Sequence, residues 1–120
     1  MIKWGNIIIP SGNKFELLYW ALMFAISPTR PIDNWIKSFM TKGGAIGGDP
    51  GWEITHVVTD GTSGYYKIWA DSEISGIEPD EASYTAEEMR KALNESLLAF
   101  AEQYPEKSSE VKEVIKRYNL

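Results

Sequence analysis

Residues 17–26 read LLYWALMFAI, ten apolar side chains in succession. A bilayer-spanning helix needs about 20 such residues, so this run is half a span. It is also a poor leader core. Glu16 abuts it, a strand-like segment precedes it, and Lys3 alone makes a weak basic start. Pro28-Thr29-Arg30-Pro31 is a poor cleavage region. The run therefore predicts a helix over about 14–26 that is apolar nearly all round and lies deep in a core. The rest of the chain has to cover it. A cytoplasmic protein with no membrane insertion is the expectation.

The 120 residues suit one domain, 1–120, able to bury roughly two-thirds of its unfolded surface. Five Trp, six Tyr and four Phe supply core volume. The absence of Cys excludes a disulfide framework, Cys-ligated zinc and a thiol nucleophile together.

The remaining elements follow from periodicity and punctuation. Residues 2–9 (IKWGNIII) predict a strand covered on both faces, broken by Pro10-Ser11-Gly12. Asn13 and Glu16 resemble a capping box for the apolar helix. Ser27-Pro28 ends it. A second helix starts near Pro31, with Ile32, Trp35, Ile36, Phe39 and Met40 at i, i+3, i+4, i+7 and i+8. Residues 43–51 (GGAIGGDPG) read as a loop. Residues 52–60 and 65–71 alternate as strands around Gly61-Thr62-Ser63-Gly64, a hairpin. Trp52, Ile54, His56 and Val58 share one face of the first strand. Tyr65, Lys67, Trp69 and Asp71 share one face of the second. Residues 72–83 read mainly as loop, with room for a short edge strand at 73–77. Thr85 and Glu88 form a capping box for a helix to about Gln103, with Met89, Leu93, Leu97, Phe100 and Tyr104 inward. Pro105 breaks it. A last helix over about 109–118, capped by Ser108 or Ser109, buries Val111, Val114, Ile115 and Tyr118.

The class is α+β: a small antiparallel sheet, made of hairpin 52–71 plus the N-terminal strand, packed by about four helices on one face. The other sheet face would present Trp69 and Tyr65.

The chemistry-bearing groups are sparse. His56 is the lone histidine. Nucleophilic hydrolysis needs a base beside a nucleophile and an orienting acid, so Asp60 or Asp71 would have to orient it. On an apolar strand face, a core or interfacial ring is the plainer reading. The glycine loop lacks the GK[ST] ending of a phosphate loop, and its helix-before, strand-after order reverses a dinucleotide fingerprint. Asp71, Glu73 and Gly76 match a calcium loop in part. Ser75 and Ala82 stand where that loop needs oxygen ligands. Ten acids in 41 residues make some carboxylate pair inevitable, so a glycosidase pair carries no signal. No catalytic motif, metal or cofactor is indicated.

Charge supplies the strongest functional signal. Residues 49–89 hold ten acids against Lys67 alone, while the flanking segments are mildly basic. One-sign blocks steer partners of opposite sign and repel nucleic-acid phosphates. Asp71, Glu73, Glu78, Asp80 and Glu81 would pair with a basic protein. Trp69 and Tyr65, with Trp52 beside the glycine loop, would supply the aromatic contact area typical of interface hot spots.

From Tyr65 onward the chain, YYKIWADSEISGIEP and then SYTAEEMRKALNESLLAFAEQYPEKSSEVKEVIKRYNL, resembles the immunity proteins of bacterial contact-dependent inhibition and polymorphic toxin systems. The resemblance covers about the last half and rests on overall style. It implies a non-enzymatic cytosolic protein that binds one cognate toxin domain, often a nuclease, and occludes its basic cleft. The alternatives are a small hydrolase or ligand-binding module built on His56, and an acidic inhibitor of another nucleic-acid enzyme.

Overall fold

A computed structural model describes residues 2–29, 31–40, 43–48, 51–58 and 64–120. Asp49, Asp60, residues 61–63 of the expected turn and the side chain of Phe39 lie outside the described residues. The elements run β1 (Ile2–Trp4), β2 (Ile7–Ile9), α1 (Glu16–Ala25), α2 (Ile32–Met40), β3 (Ala45–Gly48), β4 (Trp52–Val57), β5 (Tyr65–Ala70), α3 (Ser72–Ser75), β6 (Glu81–Thr85), α4 (Ala86–Gln103) and α5 (Ser108–Arg117). A 3₁₀ turn, Pro105–Lys107, separates the last two helices.

The α+β class holds: an antiparallel meander in the order β3-β4-β5-β6, with helices on one face. Ile46, Ile54, Ile68 and Ala82 form one cross-strand row on the inner side. Leu18, Leu22, Ile36, Leu93 and Leu97 belong to the same buried cluster. Each such aliphatic side chain contributes about 1.5–3 kcal/mol when taken from water. The apolar run behaves as the core helix its composition demands, with Leu17, Leu18, Tyr19, Ala21, Leu22 and Ala25 buried. Its burial is not all-round, since Met23 and Phe24 are exposed.

Several expectations are corrected. The N-terminal segment is not one strand and does not join the main sheet. Gly5, at φ 59°, turns it into a separate β1–β2 hairpin, pairing Ile2 with Ile9 and Trp4 with Ile7. Only Ile7 of its isoleucine run is buried; Ile8 is exposed. The glycine loop contains the edge strand β3. A Cβ at Gly47 would lie 2.7 Å from the Trp52 carbonyl oxygen, so glycine permits the close backbone approach that this pairing needs. Residues 72–83 hold α3 and the opening of β6 rather than a strand at 73–77.

Caps agree in principle and differ in detail. Thr85 and Glu88 form the reciprocal capping box, at 3.0 Å and 2.9 Å. At α1, Asn13 Oδ1 accepts from the Phe15 amide at 2.9 Å, and Glu16 Oε1 reaches back to the Gly12 amide at 3.1 Å. The turn is stapled one residue earlier than a capping box would place it. Neither Ser108 nor Ser109 caps α5; its N-cap is Lys107, without a side-chain bond. Among the described residues no helix is long and apolar enough to cross a membrane.

Candidate partner-binding face

Strand alternation splits β4 and β5 cleanly. Trp52, Ile54, His56, Tyr66, Ile68 and Ala70 point into the core, and Glu53, Tyr65, Lys67 and Trp69 point outward. On β6, Tyr84 is buried while Glu81, Ser83 and Thr85 are exposed. The helices occupy the inner side, so among the described residues no helix covers the outer one. Trp69 is 39% exposed and Tyr65 36%, high for rings in the middle of a packed sheet. Trp52 is the exception to the expectation: its even-numbered position turns it inward, and it is buried.

Register orders the outer face into rows. Trp69 pairs with Glu53 on one side and Glu81 on the other. Lys67 lies between Thr55 and Ser83, and Tyr65 between Val57 and Thr85. Glu53, Thr55, Val57, Lys67, Trp69 and Glu81 line a shallow groove of about 400 Å³. Lys67 Nζ stands 3.4 Å from Glu81 Oε1, an exposed pair of little net worth to stability. Glu53 Oε1 accepts from the Thr55 hydroxyl at 3.0 Å. Tyr65 is four residues from Trp69, about 13 Å along the strand, at the end away from the acidic connector.

The connector from β5 to β6 carries the other expected acids. The Asp71 amide donates to the Gly51 carbonyl at 2.9 Å, and the Ala70 amide to the Asp80 carbonyl at 2.9 Å. Both ends are thereby fastened to the sheet. Asp71 Oδ1 caps α3 by accepting from the Glu73 amide at 3.0 Å. Gly76 ends α3 in the left-handed region, at φ 71°, which favours glycine. Ile77 is buried and anchors the segment. With its backbone held this way, the connector exposes Glu73, Glu78 and Asp80, and Ile74 stands exposed beside them. A Cβ placed on Gly51 would lie 3.5 Å from Asp71 Cβ and 3.9 Å from Trp69 Cη2. The indole tip and the start of the connector thus share one corner of the sheet.

The structure therefore brings Trp69, Glu81 and Asp71 together, keeps Glu73, Glu78 and Asp80 on the adjoining connector, and sets Tyr65 apart on the same face. Glu53 was missed as a site residue. The four-residue turn read from the sequence would pair residue 60 with Tyr65 and set Glu53 opposite Ser72; the observed register pairs Val57 with Tyr65 and so sets Glu53 opposite Trp69. Glu87 and Glu88, also in the acidic block, open α4. There Glu88 pairs with Lys14 at 3.0 Å, and its carboxyl is held below the usual range by the Thr85 amide first and Lys14 second.

His56 is buried and stacks on Tyr66, with centroids 4.4 Å apart. Its cross-strand partner is Tyr66, whereas Asp71 lies five residues further along that strand, about 16 Å away. Asp71 cannot orient the ring, and its carboxylate is engaged in capping α3. Among the described residues no three His or carboxylate side chains gather as a metal site. No family model matches the chain, and no curated protein or solved structure matches it either.

Proposed function

We propose that this chain is an immunity-type inhibitor, a non-catalytic protein that docks a basic toxin domain, of nuclease kind, against its outer sheet face and blocks the toxin's cleft. The carrying observation is the uncovered row centred on Trp69, with carboxylates on both flanking strands and an acidic connector fastened to the same corner. Nucleases hold nucleic acid with positive charge, so an acidic surface is suited to fill such a cleft, and the same charge disfavours direct binding of nucleic acid. Trp69 and Tyr65 supply desolvatable area, while Glu73, Glu78 and Asp80 speed encounter and fix register. Occlusion needs no cofactor. A cytoplasmic site of action, where the cognate toxin would be met, belongs to the same proposal.

The test is co-expression and pull-down with the protein encoded immediately upstream, followed by binding kinetics. Reversing Glu78, Asp80 and Glu81 together to Lys should slow association at least tenfold at low salt with the fold intact. Unchanged association at low salt contradicts the docking model.

A further inference from the structure

We infer that the Glu53–Trp69–Glu81 row is a subsite for one arginine side chain of the partner, seated flat on the indole with a carboxylate to either side; the inference rests on the docking reading above. The three residues are direct cross-strand neighbours, so adjacent Cα atoms lie about 5 Å apart and the two carboxylates straddle the ring. A planar guanidinium stacks on an aromatic face and still directs its N–H groups sideways to carboxylates, a geometry that an ammonium cannot match. Charge supports a cationic occupant. Among the described residues Glu53 accepts from the Thr55 hydroxyl and has no cation paired with it, while Lys67 pairs with Glu81. The Lys67 ammonium acts as an internal stand-in for the guest, holding one of its two carboxylates. At the tip of the indole stands Gly51, where a Cβ would lie 3.9 Å from Trp69 Cη2, so no side chain of that residue competes for the ring.

The probe is the acetylated, amidated tripeptide Arg-Arg-Arg, with lysine and citrulline counterparts. The readout is the indole N–H resonances of the full chain, with that of Trp69 assigned by its loss in Trp69→Leu. The Arg peptide should move the Trp69 resonance saturably, at least threefold more tightly than the Lys peptide and without effect from citrulline. Glu53→Gln should weaken binding severalfold. Lys67→Gln should strengthen it severalfold by releasing Glu81. The other four indole resonances report that each variant is folded. An immobile Trp69 resonance, or equal affinity for the Arg and Lys peptides, overturns the subsite. A Lys67→Gln variant that binds no more tightly overturns the stand-in role. None of these outcomes touches the wider docking reading, which is decided by the partner itself.

Discussion

The Tyr84 hydroxyl donates to the Lys14 carbonyl oxygen at 2.6 Å, tying β6 to the turn that starts the core helix. Tyr84 thereby fastens an edge strand whose neighbour in the sheet carries Trp69. Removing the hydroxyl in Tyr84→Phe leaves the carbonyl without that donor and should cost about 0.5–1.5 kcal/mol. A shift in the urea midpoint, with an unchanged m-value, checks it.

Alkaline pH should act through the same tyrosine. Burial pushes its phenol up to about 12, with Glu88 adding and the Leu18 amide opposing. Burial likewise raises Tyr66, and raises Tyr19, whose hydroxyl also donates to Glu95 at 2.9 Å. A raised folded pKa favours the neutral phenol, so this stability is complete below about pH 10, the unfolded value. It is lost as pH rises through 12. Denaturant midpoints from pH 8 to 11.5 should stay level and then fall, and the fall should be shallower in Tyr84→Phe.

Acid should loosen the other end. Asp33 accepts from the Tyr118 hydroxyl at 2.8 Å and from Arg117 at 2.8 Å, joining α2 to the end of α5. The tyrosine bond first, and the guanidinium second, hold its carboxyl below the usual range. A lowered folded pKa gives stability that is present above about pH 4 and lost as pH falls through the folded value. Asp33→Asn should speed hydrogen exchange in α5 at pH 6 and flatten the loss of stability between pH 4.5 and 3.

The hydroxyl of Ser96 is fully buried on α4 and has no hydrogen-bond partner among the described residues. Ser96→Ala removes an unmet polar group and should be neutral or stabilising by up to about 1 kcal/mol. Leu97→Ala, one residue on, should cost about 2–5 kcal/mol. Thermal melts of the two variants should move in different directions or by very different amounts.

Elements with a strong period or an explicit cap were legible in the sequence. Thr85 and Glu88 mark the start of α4 to the residue, and Pro105 its end. The two faces of β4 and β5 follow from strict alternation, which already placed Trp69 and Tyr65 outside. What failed depended on cross-strand pairing that composition does not show. Ala45–Gly48 has the composition of a loop, and only its pairing with β4, where Gly47 meets the Trp52 backbone, makes it a strand. Glu81–Thr85 alternates weakly because Ala82 is small and Ser83 is neutral, so its one clear inward signal is Tyr84. Trp52 was misplaced by its proximity to the glycine loop, although parity with Ile54 and His56 already pointed it inward. Glu53 went unnamed because the charge block was read along the chain, whereas its role comes from register across it.

The most direct test uses the cysteine-free background. Single Ser83→Cys, on the outer face, and Ser109→Cys, exposed on α5, are labelled with a maleimide in the presence and absence of the co-expressed upstream-encoded protein. The account predicts at least tenfold slower labelling at position 83 in the complex, with position 109 unaffected. Equal labelling at position 83 with and without the bound protein contradicts it.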